Sequence, residues 1–338
     1  MSIFDEPAMR PIGAVGDRYW DNVSLISSPP TLEDISYLHV LFAHTGMPYK
    51  EVPFGQSYLR RNGRVSLALS PGFLMNPTTR QLEMQGLPYG PLPRLLMLYI
   101  CHEAKRWNRP LIDMNRSMSS FLRQDLLAKS SGGGPRGALT SLKRQMNRLA
   151  ATPMTIGLAY TGGVSTIRPT PAIVEYRVWD EESLKNRPMW KTEILMSDKF
   201  FEGVINQSIP LDNRAIQGLK SSAMCLDIYF NLAQRLYRIR AGKVEKVTWS
   251  QLWGQFGQDY GDLASFKFRF IENLKRVLKF YPDANLTEVE DGIEFRKSPA
   301  PIPVVMSARK QRAVQPELDF SPKPGRPDAM LGVWKGDK

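Results

Sequence analysis

Apolar residues along this chain fall into two blocks of helical spacing, each followed by short alternating runs. The segment Pro93 to Trp107 (PRLLMLYICHEAKRW) is apolar around most of a helical wheel, the pattern of a buried helix. Ser117 suits the cap of a second helix, Met118 to Leu127. The run Gly132-Gly133-Gly134-Pro135-Arg136-Gly137 then punctuates the chain, and Pro135 favours a helix start because its missing N–H has no partner to lose. From there Ala138, Leu139, Leu142, Met146 and Leu149 mark the packed face of a third helix. Arg136, Thr140, Arg144, Asn147 and Arg148 fall on the opposite side, with Lys143 flanking. Beyond Pro153, Thr155 to Tyr160 and Val164 to Arg168 read as strands around a Thr161-Gly162-Gly163 turn, and Ala172 to Trp179 as a further strand.

The same order recurs downstream. Ser222 to Ile239 is a long amphipathic helix carrying Leu226, Tyr229, Phe230, Ala233, Leu236 and Tyr237, and Thr248 caps a short helix, Trp249 to Phe256. Asp262 starts a third helix reaching about Phe280, with Leu263, Phe266, Phe270, Leu274, Val277 and Tyr281 as its apolar stripe. Its other side carries Arg269, Lys275, Arg276 and Lys279, with Lys267 to one side and Glu272 as the single acid. Leu286 to Val289, the turn Glu290-Asp291-Gly292 and Ile293 to Arg296 close a hairpin.

Helix, helix, basic helix, hairpin is the order of a winged-helix domain, a helix-turn-helix variant with a β wing. The expected fold class is therefore α+β: two tandem winged-helix domains, over residues 47–200 and 201–298, with a flexible Pro-rich tail over 299–338. Residues 1–46 read as a loosely ordered start, with a short helix over Asp34 to Phe42.

Charge sharpens this picture. The 338 residues hold 45 Lys and Arg against 33 Asp and Glu, a formal charge of +12. From Leu126 to Val174 there is no acidic residue at all, while Lys129, Arg136, Lys143, Arg144, Arg148 and Arg168 are present. A local positive field on a helix suits a polyanion. The candidate DNA contacts are Arg136, Thr140, Lys143, Arg144, Asn147 and Arg148 on the first basic helix and Arg168 near the hairpin. On the second helix they are Lys267, Arg269, Lys275, Arg276 and Lys279. Guanidinium groups pair with guanine and Asn with adenine in a major groove, and the same cations contact phosphates.

Other chemistries find little support. His39, His44 and His102 lack the His-x-His spacing of a metal-dependent nickase, and Gly132-Gly133-Gly134 is followed by no Lys-Ser or Lys-Thr of a phosphate-binding loop. Asp180, Glu181 and Glu182 read as a solvated turn. No active site, metal or cofactor is expected. Cys101 and Cys225 lie in apolar helical stretches and read as buried thiols. No apolar run reaches eighteen residues and the N-terminus lacks a secretory pattern, so a cytoplasmic protein without membrane contact is expected. Single-stranded DNA stacking on aromatics is a competing use, but Tyr99, Trp107, Tyr229 and Tyr237 fall on apolar helical faces and read as core. Trp249 and Trp253 suit either role.

Seven prolines fall in the forty-one residues from Ser298 onward. Within that tail, Gln315-Pro316-Glu317-Leu318-Asp319-Phe320 fits the Gln-x-x-Leu-x-Phe pattern by which many bacterial replication and repair proteins dock on the sliding clamp. Gln315, Leu318 and Phe320 would be its anchors.

Three further segments carry a family resemblance: Met47-Pro48-Tyr49, Arg60-Arg61-Asn62-Gly63-Arg64-Val65-Ser66-Leu67-Ala68-Leu69-Ser70-Pro71-Gly72, and Gly86-Leu87-Pro88-Tyr89-Gly90-Pro91. With the Gly134-Pro135-Arg136-Gly137 entry and Leu142-Lys143-Arg144-Gln145-Met146-Asn147-Arg148-Leu149, the chain resembles plasmid replication initiators of the RepA family over about residues 39–180, and more loosely beyond. That resemblance implies a protein that binds origin iterons, promotes opening of adjacent A·T-rich DNA and recruits host initiator and replicative helicase. It also implies a dimer for autorepression and a monomer at the origin. A dedicated winged-helix transcriptional repressor is the alternative; the clamp-like peptide, for which a repressor has no need, favours the initiator.

Overall fold

The computed structural model describes residues 23–113, 138–160, 163–178, 192–303 and 306. After a 3-10 turn (Leu32–Asp34) come strand β1 (Ile35–His39) and the one-turn helix α1 (Leu41–His44). They are followed by β2 (Tyr58–Asn62), β3 (Val65–Leu69), β4 (Phe73–Met75), β5 (Leu82–Met84), α2 (Pro91–Trp107) and β6 (Leu111–Asp113). The middle of the chain forms α3 (Ala138–Ala151), β7 (Pro153–Tyr160), β8 (Gly163–Pro171), β9 (Ile173–Val178), β10 (Thr192–Met196), α4 (Asp198–Asn206), β11 (Ser208–Asp212) and α5 (Asn213–Leu219). Then come α6 (Ala223–Arg238), β12 (Val244–Thr248), α7 (Trp249–Phe256), α8 (Leu263–Leu278), β13 (Leu286–Val289) and β14 (Gly292–Arg296). The fold is a mixed α/β one with small antiparallel sheets.

The helix starts follow from capping side chains. Ser222 accepts the Cys225 amide at 3.2 Å ahead of α6, and Asp262 accepts the Ser265 amide at 2.7 Å ahead of α8. Thr248 and Gln251 form a reciprocal capping box at α7. Such contacts satisfy amides that have no partner inside the helix and are worth about 1 kcal/mol each.

Two three-stranded sheets share one topology. In the order β6-β10-β9, and again in β12-β14-β13, the strand after a long helix pairs with the last strand of the hairpin that ends the block. Within the second sheet Gly292 permits close strand approach, since a Cβ there would lie 2.0 Å from the Val247 carbonyl oxygen. Residues 114–137, including the expected helix Met118 to Leu127, lie outside the described residues.

The structure corrects three expectations. The β7–β8 hairpin exists, but it does not return as a wing beside the strand that follows α2: β7 pairs with β3, Leu67 opposite Ile156, in a four-stranded sheet β2-β3-β7-β8. The hairpin that returns beside β6 is β9–β10, and β10 was unforeseen because only Ile194 and Met196 signal its buried face in a five-residue run. Asp34 to Phe42 is not one helix. Ile35–His39 pairs antiparallel with β11, from Ile35 opposite Asp212 to His39 opposite Ser208, and places Ile35 and Leu38 in the core. Finally, the chain past Ser298 starts out packed: Ser298 is buried, and Ile302 is enclosed with Ile35 and Tyr37. Residues 307–338, with Gln315, Leu318 and Phe320, lie outside the described residues.

Helix α6 is buried along nearly its whole length, against α1, α2, α5, α8 and β11. Its Asp227 accepts from Arg94 on α2 at 2.6 and 2.9 Å and from Arg60 on β2 at 3.2 Å, all three side chains being almost fully enclosed. The second buried cation has compensation. Arg94 donates to the carbonyls of Gly90 at 2.7 Å and Pro48 at 3.3 Å, and the Tyr49 ring centroid lies 4.7 Å from Arg60 and 5.0 Å from Arg94. Gly46 makes the approach possible, because a Cβ there would fall 2.1 Å from Asp227 Oδ2.

At the end of β1, His39 Nδ1 accepts the Leu41 amide at 3.1 Å, and its ring stacks on Phe200 with centroids 5.2 Å apart. A Cβ on Gly203 would lie 2.3 Å from Nε2, so only glycine leaves room for the ring. Both cysteines are buried thiols without a disulfide, and burial pushes the Cys101 thiol up to about 12. Among the described residues no helix is long and apolar enough to cross a membrane, and no three His, Cys, Asp or Glu side chains group as a metal site would require.

Candidate nucleic-acid interface

Helix α8 is held by an aromatic floor. Phe266, Phe270, Leu274 and Val277 are buried, and Phe270 sits between Phe266, Phe256 and Trp249 at centroid distances of 5.4, 5.3 and 6.3 Å. Burying each phenylalanine contributes about 1.5–3 kcal/mol, which fixes the rotation of the helix and hence what it presents outward. The outward arc carries Ser265, Phe268, Arg269, Glu272, Lys275, Arg276 and Lys279. Arg269 and Glu272 pair at 2.9 Å with both side chains more than half exposed, while Lys275, Arg276 and Lys279 are half-buried at the helix C-terminus, where cations suit the helix dipole. Asp262 caps the opposite end, and its hydrogen bonds from Ser265 hold that carboxyl below its ordinary range.

Lys267 does not belong to this arc. Its ammonium lies 4.6 Å from the Trp249 ring centroid and 3.4 Å from Glu288 on β13, so it ties α8 to its neighbours. The β13–β14 hairpin carries Glu288, Glu290, Asp291 and Glu294 against Arg296, which pairs with Glu294 at 2.7 Å, and Lys246 meets Asp291 at 3.2 Å. In this half the positive surface is the helix and not the hairpin.

Helix α3 divides differently. Leu142, Met146 and Leu149 are buried as expected, and Gln145 is buried too, accepting the Tyr89 amide at 3.0 Å. Arg144 is exposed, while Thr140 and Lys143 are half-buried with interactions of their own. Asn147 accepts the Tyr176 hydroxyl at 3.0 Å. Arg148, expected to face outward, turns inward: it pairs with Glu51 at 2.5 Å, stacks 5.2 Å over the Tyr89 ring and lies 3.3 Å from where a Cβ on Gly86 would sit. Its hydrogen bond holds the Glu51 carboxyl below the usual range. The reason is the segment 47–90, which packs over the C-terminal half of α3. Arg136 lies outside the described residues; Arg168 is in β8, and its side chain lies outside them.

The aromatics also separate. Tyr99, Tyr229 and Trp249 are buried as core. Trp107 and Tyr237, expected in the core, are 48% and 44% exposed, because each stands at a helix C-terminus where the neighbouring elements end. Arg106 and Arg109 flank the Trp107 ring at 5.1 and 5.9 Å. One exposed residue that the sequence reading missed is Phe268, 67% exposed on α8. Its position between Phe266 and Phe270, two residues from each, was the available signal.

The profile of the family described as plasmid-encoded RepA protein matches residues 87–255, half of the chain. Among solved structures, domains 2 and 3 of RctB align with TM-score 0.46 and 10% identity, covering 76% of this chain and 98% of that one. No curated protein matches.

Proposed function

Because the chain belongs to the family of plasmid-encoded RepA proteins, we propose that it initiates plasmid replication by binding origin DNA through two winged-helix units. The observation that carries this reading is the repeated topology: a long helix, a strand, a basic helix and a hairpin, with strand order β6-β10-β9 in one unit and β12-β14-β13 in the other. In such a unit the helix before the hairpin enters the major groove. On this reading the groove-facing roles fall to α3, through Arg144 with Thr140, Lys143 and Asn147 beside it, and to α8, through Arg269, Lys275, Arg276 and Lys279. Arg148 and Lys267 act instead as positioning residues that fix how each helix is presented. Two such helices on one chain fit two successive major-groove faces of a directly repeated site, an iteron. By family resemblance the protein also self-associates for autorepression and recruits host initiator and helicase, with the 315–320 peptide as its contact to the sliding clamp.

The test is made on a supercoiled plasmid carrying the native origin, with permanganate probing for unpaired thymines. The initiator reading expects protection of evenly spaced direct repeats with reactive thymines beside them. Protection of an inverted repeat at a promoter, on duplex that stays closed, would make the protein a repressor.

A further inference from the structure

Phe268 stands in the middle of the outward arc of α8 with 67% of its surface exposed. We propose that it is a specificity-determining residue, which reads thymine in the major groove by packing its ring against the C5 methyl group. This rests on the reading of α8 as a DNA-contacting helix.

Position excludes a core role. Phe266 and Phe270 face the aromatic floor, and a residue two places away on a helix is turned by about 200°, so Phe268 cannot join them. Chemistry excludes a phosphate role. An aromatic ring offers a phosphate oxygen no donor, and the neighbouring carboxylate of Glu272 repels it. Base edges suit both groups: the thymine methyl is apolar, and the exocyclic amine of cytosine donates to a carboxylate.

The surroundings indicate a nucleic acid as the occupant. The Arg269 guanidinium lies 5.7 Å from the Phe268 ring centroid and 2.9 Å from Glu272, so ring, cation and carboxylate form one contiguous exposed group. Farther along the same arc come Lys275, Arg276 and Lys279, a charge complement to the DNA backbone. The centre of the helix thus presents groups that read bases and its C-terminal end groups that hold phosphates.

The experiment uses the full-length protein and a duplex it selects from a randomised library. Each thymine is replaced in turn by uracil, which deletes only the methyl group, and binding is measured for the wild type, Phe268→Ala and Phe268→Leu. At one or more positions uracil should weaken wild-type binding about fourfold, the worth of one buried methyl group. Phe268→Ala should bind the thymine duplex more weakly by a similar factor and be indifferent to uracil there, while Phe268→Leu should keep part of the sensitivity. A wild type indifferent to every uracil, or a Phe268→Ala variant with full methyl sensitivity, overturns the proposal. Arg269→Ala with Lys275→Ala separates its failure from that of the underlying reading. If that pair lowers affinity and flattens the salt dependence while no methyl effect is seen, α8 lies on DNA but Phe268 reads nothing. If it changes neither, α8 is not on DNA at all.

Discussion

Replacing Asp227 with alanine is expected to destabilise the fold by about 3–5 kcal/mol, the cost of breaking a buried ion pair from one side. Among the described residues Asp227 is the carboxylate that pairs with both Arg60 and Arg94, with all three side chains at most 5% exposed. Without it two guanidinium groups stay enclosed, and the Tyr49 ring and the carbonyls of Gly90 and Pro48 offset only part of their charge. Adding Arg60→Met to the alanine variant should return part of the loss, because one uncompensated charge leaves with it. Urea unfolding followed by far-UV circular dichroism reads both variants. An Asp227→Ala protein within about 1 kcal/mol of wild type, the scale of an exposed pair, would mean that the cluster is open to water. The cluster also has an architectural consequence. Arg94 lies on the long helix α2 of one proposed unit and Asp227 on the long helix α6 of the other, so the pair fixes how α2 and α6 sit together.

The second large effect is acid sensitivity. Burial lowers His39 from its ordinary 6.5 to about 4, and His44 is lowered to about 4 as well, by burial with help from Arg238 and Arg235. Because the folded values lie below the unfolded one, the unfolded chain binds more protons between them. Stability is therefore complete above about pH 6.5 and is withdrawn as pH falls toward about 4. For His39 alone the loss between neutral pH and about pH 5 is about 2 kcal/mol. The geometry gives the same sign, since protonation would convert the Nδ1 acceptor of the Leu41 amide into a donor. Urea midpoints at about pH 7 and about pH 5 should draw apart less in His39→Gln than in wild type, by about half because His44 remains. An unchanged gap would show that other groups carry the acid response.

Much of the second half was legible from spacing and caps. The expected starts at Ser222, Thr248 and Asp262 are the observed caps of α6, α7 and α8, because a side-chain acceptor followed by a helical apolar stripe is a local signal. What escaped is non-local. Nothing in Thr155 to Tyr160 says that β7 will pair with β3, nearly ninety residues earlier in sequence, rather than with β9. Arg148 shows the same limit within the site. Its helical angle points outward, yet Glu51, Tyr89 and Gly86 arrive from another segment and cover that side. Helical angle located the basic faces; which cations stay exposed depended on segments that angle does not contain.

On the proposed reading α3 and α8 occupy separate major-groove faces of one repeat, and hydroxyl-radical footprinting of a single repeat is the direct test. Two protected backbone patches about one helical turn apart are expected. Arg144→Ala should erase one, and Arg269→Ala with Lys275→Ala the other. A single patch, or two patches that both survive the α8 substitutions, would contradict it.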